Sequence, residues 1–328
     1  MVGHIVCRSH AIRGVRRLSF AKYCVRVNDE VAKSLASGGP VVALESTIVA
    51  HGMPWPQNLE AALAVEAAVR AGGAVPATVG VIDGVPTVGL TEKELEAMAR
   101  GGPEVPKCST RELPLVMARK QHGATTVAAT ARLAKIVGLE VFVTGGLGGV
   151  HRGGELTLDV SADLVELRTS PLVVVCAGVK SILDIARTLE YLETQGVPVV
   201  SYQTNDFPAF FSPTSGLPSP ARLDTPQEVA SHFLAARSLG LESATLLAVP
   251  NPEPAADGEA VQAAIHAALA AAAEVGVSGA ATTPFVLSFV ARATGGASLQ
   301  ANIALVLNNA KVGTAVAVAL AEAKRVLR

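Results

Sequence analysis

One carboxylate, Glu45, stands inside the apolar run Val41-Val-Ala-Leu-Glu-Ser-Thr-Ile-Val49. A charge among β-branched residues is costly to bury unless it is paired or keeps its proton. Two readings follow. Glu45 is solvated at a strand's end, or it is a general acid with a raised pKa. The segment after it, His51-Gly-Met-Pro-Trp-Pro-Gln-Asn58, is too rigid for an ordinary connector. Lys180 is the second candidate. It closes Pro171-Leu-Val-Val-Val-Cys-Ala-Gly-Val-Lys180, the most apolar strand-like run, and Ser181 after it is expected to begin a helix. A partly desolvated lysine at a helix N-terminus has a depressed pKa. Its neutral amine can attack an aldehyde-like carbon and form an imine. The commoner use of a strand-end lysine is to snorkel to solvent.

Four further clusters carry polar chemistry. Asp159-Val-Ser-Ala-Asp163 places Asp159, Ser161 and Asp163 on one side if extended, a set suited to Mg²⁺ or Mn²⁺ with waters completing the shell. The same spacing also suits a cap for the following Leu164–Arg168 segment. Thr144-Gly-Gly-Leu-Gly-Gly-Val-His-Arg-Gly-Gly154 follows a strand-like segment. Its backbone amides can approach a phosphate or oxyanion, but close packing in a tight turn explains the composition better. It is neither a dinucleotide fingerprint nor a Walker loop. Lys107, with Ser109, Thr110 and Arg111, can bind a phosphate; alternatively Ser109 or Thr110 caps the next helix. Asn302 is one amide among apolar residues, by default a satisfied core or capping group. His51 and His151 lack a metal-ligand partner at useful spacing and read either as structural or as supports for a group that itself touches substrate or metal.

The elements that must position these groups alternate between strand-like and helix-like patterns, the signature of an α/β layered domain. Val41–Leu44 reads as a strand, and a helix runs from Pro56 to about Arg70 with Gly72-Gly73 beyond it. Val75–Ile82 and Val85–Val88 form a hairpin around Asp83-Gly84. Thr91 and Glu94 make a capping box for a helix through Arg100. Thr125–Val137 is helical. Val141–Val143, Leu172–Cys176 and Val199–Tyr202 are strands, with a helix over Ser181–Gln195. After a loop at Ala248–Gly258 come two Ala-rich helices, Glu259–Val275 and Ala301–Leu327.

Composition narrows the classes. The chain has 328 residues, 50% of them hydrophobic and 4% aromatic, so the core is built of Ala, Val and Leu. With 27 basic and 28 acidic residues the net charge is −1, giving no electrostatic reason to expect a nucleic-acid polymer or an anionic membrane. No uninterrupted apolar run approaches the length of a membrane span. The four cysteines, Cys7, Cys24, Cys108 and Cys176, form no CxxC pair, which fits a reducing intracellular, cytoplasmic setting. Residues 1–24 are basic and carry no acid. They read either as an organelle (mitochondrial) transit peptide or as a disordered extension.

Taken together, Ala43-Leu-Glu-Ser-Thr-Ile-Val-Ala-His-Gly-Met-Pro-Trp-Pro-Gln-Asn58, Gly145-Gly-Leu-Gly-Gly-Val-His-Arg152, Asp159-Val-Ser-Ala-Asp163, Ala177-Gly-Val-Lys180 and Gly295-Gly-Ala-Ser-Leu-Gln-Ala-Asn-Ile-Ala-Leu305 resemble the pseudouridine-5′-phosphate glycosidase family, also called indigoidine-synthase-A-like. The likeness covers a single domain over residues 25–328. It implies a three-layer α/β/α core with additional C-terminal Ala-rich helices. The implied activity is reversible cleavage of the C–C glycosidic bond of pseudouridine 5′-phosphate to uracil and ribose 5-phosphate. It also implies one Mn²⁺ per subunit and a homotrimer. By motif position Lys180 matches the nucleophile, Glu45 the proton donor, Asp159 the metal ligand and Asn302 a polar active-site residue. Lys107, Thr126, Val127, Ser161, Ala162 and Asp163 match substrate contacts.

Other readings compete. A Schiff-base aldolase or another sugar-phosphate lyase also needs a strand-end lysine, but has no requirement for uracil. A sugar kinase shares the α/β layout and glycine-rich loops, yet the Walker-type loop is missing. A non-catalytic scaffold would not need Glu45, Asp159 and Lys180 intact.

Overall fold

The structure is a computed structural model that describes residues 4–6, 25–253, 258–277 and 282–327. Its strands are β1 (His4–Val6), β2 (Val25–Val27), β3 (Val41–Leu44), β4 (Val75–Ile82), β5 (Val85–Val88), β6 (Lys107–Cys108), β7 (Gly123–Thr125), β8 (Val141–Val143), β9 (Val173–Cys176), β10 (Val199–Tyr202), β11 (Arg222–Leu223) and β12 (Thr245–Ala248). They join in the order β1-β2-β5-β4-β3-β8-β9-β12-β10-β11, with β7 paired to β4 and β6 to β7. From β4 to β11 the pairings are parallel. At the other end β5 pairs antiparallel with β4 through the hairpin and parallel with β2. Parallel strands covered on both faces need apolar residues throughout. That is why β3, β8, β9 and β12 are buried along their whole length.

The helices are α1 (Asp29–Ala36), α2 (Gln57–Ala71), α3 (Glu92–Gly101), α4 (Leu113–Ala118), α5 (Val127–Val137), α6 (Gly154–Thr157), α7 (Ala162–Leu167), α8 (Ile185–Thr194), α9 (Pro226–Ser238), α10 (Gly258–Glu274), α11 (Thr282–Ala293) and α12 (Ala297–Val326). α12 lies along β3, β8 and β9, flanked by α2 and α9. A Cβ on Gly313 would stand 2.2 Å from Val143 Cγ2, so only glycine lets this helix approach the sheet. Side chains alternate along a strand, so Phe142 and Val174 point away from α12. On length and composition α12 could cross a membrane. Its apolar surface instead covers the sheet, and Leu305, Ala310, Val316 and Leu320 are buried in the core.

Several expectations hold. The hairpin, the Thr91–Glu94 capping box and the Val199–Tyr202 strand are present. Others are corrected. The C-terminal region contains three helices where two were expected. α11 begins at Thr282, because Pro284 falls in its first turn, where a missing N–H breaks no helical bond. Thr125 belongs to β7, and α5 begins after the Thr126 cap. The helix after Lys180 begins at Ile185, capped by Asp184, and not at Ser181. Lys180 therefore does not stand at a helix N-terminus. Of the basic extension only β1 is described, pairing antiparallel with β2. The transit-peptide reading, with Cys7 and Cys24, lies outside the described residues. Cys108 and Cys176 are buried free thiols, and burial pushes both up to about 12, as core residues rather than nucleophiles.

Candidate active site

Glu45 follows β3, Thr144 follows β8 and Lys180 lies just beyond β9. These three strands are adjacent and parallel, so the residues share one edge of the sheet. The carboxyl ends of parallel strands are where side chains from separate segments converge. Past β8 and β9 the backbone stays paired. Ala177 N donates to Gly145 O at 2.9 Å, Leu147 N to Gly178 O at 3.0 Å and Lys180 N to Leu147 O at 3.1 Å. This ladder fixes the Lys180 backbone against the glycine run.

Glu45 is only 8% exposed. Its Oε1 accepts a short hydrogen bond from the Thr144 hydroxyl. Burial raises its carboxyl above the usual carboxylate range, and the charge of Lys180 is the strongest opposing influence. Asp163 adds to the rise, while Thr144 and Lys107 oppose it. The solvated strand-end reading thus fails: the position is right, but the group is dry. Lys107, on the edge strand β6, is lowered by burial and by the charge of Lys180, with Asp163 and Glu45 pulling the other way. Glu45, Lys180, Lys107 and Asp163 therefore act on one another as a single cluster of two acids and two amines.

The glycine run is the hub that joins them. A Cβ on Gly148 would stand 2.3 Å from Ser161 Oγ and 2.6 Å from Asp163 Oδ2, and one on Gly149 would stand 2.4 Å from Thr188 Oγ1. Close packing, the reading favoured from composition, accounts for these glycines. Gly178 combines φ +83° with a carbonyl, Pro208 O, 2.1 Å from any added Cβ. No other residue fits beside Lys180.

Asp163 accepts from Ala128 N at 2.9 Å and from Gly148 N at 3.0 Å. It ties the start of α5, with Val127, to the glycine run. Thr126 caps that helix through Ala129 N at 3.5 Å. Asp159, Ser161 and Asp163 do not line one side of an extended segment. Ser161 caps α7, accepting from Asp163 N at 3.2 Å, with Ala162 the first helical residue. The capping reading is the one realised, because a Ser cap satisfies an otherwise orphaned amide. Asp159 sits apart, its side chain 39% exposed and 3.7 Å from His151 Nδ1. His51 is structural, its Nε2 2.9 Å from Val105 O. Near Lys107, Glu112 rather than Ser109 or Thr110 stands at the cap of α4, and it pairs with the exposed Arg111 at 2.6 Å.

Asn302 is buried on α12, and its Oδ1 has no hydrogen-bond partner. It faces Gly145, 3.7 Å from where a Cβ would be. The default of a satisfied core amide does not hold. An unpaired buried acceptor beside the cluster is poised for a ligand donor. A narrow cavity of about 30 Å³ adjoins Glu45, walled by Ile48, Met53, Val65, Ile303 and Val306. A larger groove of about 760 Å³ runs between α8 and residues 217–221, away from the charged cluster. Charge, not concavity, marks the site. Thr144 and Asn309 were not singled out from sequence. Thr144 heads the glycine run at a strand end, and Asn309 lies seven residues after Asn302 on the same helix face; those were the available signals.

Residues 30–319 match the family described as "Indigoidine synthase A like protein". A pseudouridine-5′-phosphate glycosidase of Hahella chejuensis is 51% identical over 292 residues, 89% of this chain and 96% of that protein. One of Arabidopsis thaliana is 48% identical over 299 residues, 91% of each chain. Among solved structures, a prealnumycin C-glycosynthase in complex with ribulose 5-phosphate aligns with TM-score 0.84 and 40% identity, over 93% of this chain and 99% of that one. An indigoidine synthase A-like protein of Thermotoga maritima aligns with TM-score 0.80 and 38% identity, over 87% and 94%. The chain belongs to the indigoidine synthase A-like family of pseudouridine-5′-phosphate glycosidases.

Proposed function

We propose that the protein reversibly cleaves the C–C glycosidic bond of pseudouridine 5′-phosphate, giving uracil and ribose 5-phosphate, with Glu45 as acid and Lys180 as nucleophile. One observation carries the reading: the dry carboxyl of Glu45 and the side chain of Lys180 stand past the ends of parallel strands on one edge of the sheet, near enough for Lys180 to act on the Glu45 carboxyl. The names of the relatives and the pentose phosphate held by the C-glycosynthase support it.

The residue types follow from the bond. A base joined through carbon is a poor leaving group, because simple ionisation leaves a carbanion. Paired carboxylates, as in ordinary glycosidases, do not remove that difficulty. Lys180 first passes a proton to Glu45; the Glu45 carboxyl then protonates the ribose ring oxygen as the freed Lys180 amine bonds to the anomeric carbon and the ring opens. The amine's surplus proton returns to the Glu45 carboxylate. Uracil C5 then takes that proton while the nitrogen lone pair forms a C=N bond, and the C–C bond breaks. Water adds to the imine, freeing ribose 5-phosphate and Lys180. In sum, one water is consumed and each group regains its starting state.

Lys107 supplies a cation for the phosphate, and Asn302 Oδ1 an acceptor for a substrate N–H or O–H. Asp159 fits a hard cation, being a half-exposed carboxylate with the His151 ring nitrogen Nδ1 3.7 Å away. The described residues contain no cluster of three or more His, Cys, Asp or Glu. Mn²⁺ here would take most of its ligands from water and substrate, and it would supply positive charge for substrate oxygens. A homotrimer belongs to the same proposal; Leu156 and Leu158, 87% and 82% exposed beside Asp159, are apolar surface that an assembly would cover.

Uracil, ribose 5-phosphate and Mn²⁺ mixed with the protein should yield a C-linked nucleotide. Borohydride added during turnover should fix a sugar adduct on Lys180, and Lys180→Ala should lose at least about 10³-fold in kcat. An active Lys180→Ala enzyme, with no adduct in the parent, overturns the scheme. A sugar-phosphate lyase or aldolase would turn over without regard to added uracil.

A further inference from the structure

Asn309 lies on α12, fully buried. Its Nδ2 donates to the backbone carbonyls of Thr144 at 2.9 Å and Gly145 at 3.3 Å. Two carbonyl acceptors fix which end of the amide is the NH₂. Its Oδ1 is buried without a partner. An orphaned acceptor is unfavourable, so the side chain serves there as a donor alone. The residue it holds carries the next link. Thr144 donates its hydroxyl hydrogen to Glu45 Oε1. With Oε1 occupied as an acceptor, Oε2 is the oxygen left to carry the proton.

We propose that Asn309 is a positioning residue for proton transfer: by clamping the Thr144–Gly145 turn it keeps the Thr144 hydroxyl on one oxygen of Glu45 and directs the transferable proton to the other. This rests on Glu45 being the acid. It goes beyond that role by assigning a control element 165 residues away from Thr144 in sequence.

The charged groups that face Glu45 are Lys180 beyond β9, Lys107 on β6 and Asp163 on α7. Changing Asn309 or Thr144 removes none of them. The Thr144 hydrogen bond favours the ionised carboxylate, so losing it raises the Glu45 pKa. An acid works in its protonated form, and its activity falls as pH rises through that pKa. Loss of the clamp should thus lower the rate while moving the basic limb of the kcat profile to higher pH. A merely structural defect would not move that limb.

The test compares kcat, KM and pH profiles of Asn309→Asp, Asn309→Ser, Thr144→Val and Thr144→Ser, each checked for folding by circular dichroism and melting. Asn309→Asp and Thr144→Val should lower kcat about tenfold with KM changed less than about twofold, and Thr144→Val should shift the basic limb up by about one pH unit. Thr144→Ser, which keeps the hydroxyl, should restore both. In a Glu45→Gln background neither Asn309→Asp nor Thr144→Val should cost more, because the acid they position is gone. Asn309→Ser, which loses the amide donor without adding a charge, should show the same loss as Asn309→Asp and carries the test if Asn309→Asp fails to fold. Folded variants with normal kcat and pH profile, or losses that persist undiminished beside Glu45→Gln, overturn the proposal. A fully active Glu45→Gln enzyme would instead remove the reading on which it rests; an impaired one beside a normal Asn309→Asp enzyme sinks the clamp alone.

Discussion

Asp163 and Asp159 stand four residues apart, yet they sit in opposite environments. Asp163 is buried, and both its oxygens accept backbone N–H groups from two different segments. Asp159 is half exposed, with the His151 imidazole 3.7 Å from its carboxylate. Glu45 completes the contrast as a buried carboxyl with one hydroxyl donor. Backbone amides satisfy an anion and fasten it in place. A single hydroxyl in a dry site leaves a carboxyl able to hold a proton. Water and open space leave a carboxylate free to take a cation. On the proposed reading one residue class serves three uses, and the number of donors around each separates them.

Glu45 should give the largest response of the three. Glu45→Gln keeps the shape but removes the transferable proton, and should lower kcat about 10²–10⁴-fold. Stability should move the other way. Burial holds the folded-state pKa of Glu45 above the ordinary value of 4.5, so the folded chain binds more protons than the unfolded one above that value. The stabilising effect of this group is complete below pH 4.5 and is lost as pH rises through the folded pKa. Melting curves should show the Gln variant gaining on the parent as pH rises above that range. A difference that does not vary with pH would mean that Glu45 is ionised in the fold.

Asp163 should respond chiefly in stability. In Asp163→Asn one acceptor is replaced by an NH₂ facing a buried N–H, an arrangement that costs about 1–3 kcal/mol. The Ala128 and Gly148 amides would lose a shared anchor, so kcat should fall as a consequence of the loosened glycine run. Denaturant unfolding measures the first effect. An Asp163→Asn protein as stable as its parent but lacking substrate affinity would place Asp163 on the substrate instead, as the family resemblance had it.

The strands were legible because parallel strands buried on both faces read as unbroken apolar runs, as in Leu172–Cys176. Glu45 was legible for the same reason, since a charge interrupts such a run. What misled were local patterns that a short-range competitor overrode. Asp159, Ser161 and Asp163 alternate like an extended segment, but the Ser161 hydroxyl captures an amide and starts a helix. Ser181 follows a strand-end lysine, but its hydroxyl is drawn to Ala209 O at 2.6 Å and the helix waits for Asp184. The Thr144–Glu45 and Asn309–Thr144 contacts had no local signature at all. Their partners are 99 and 165 residues apart, and only the stacking of β3, β8 and α12 brings them together.

Asp159 should show the smallest change in the folded protein and the most condition-dependent one in activity. Its carboxylate has solvent on one side, so Asp159→Asn should change stability by less than about 0.5 kcal/mol. If Asp159 holds the cation, the variant should need at least about tenfold more Mn²⁺ for half-maximal rate. Chelation should silence parent and variant alike, and the rate at saturating metal should largely recover. The imidazole of His151 supplies an internal check. It lies 3.7 Å from the carboxylate, so His151→Ala should shift the metal requirement in the same direction but by less. If Asp159→Asn instead lowers the rate at every metal concentration and leaves the half-saturation point where it was, the open carboxylate is bonded to substrate directly. The division of labour between the two aspartates would then be one of contact and anchor rather than of cation and anchor.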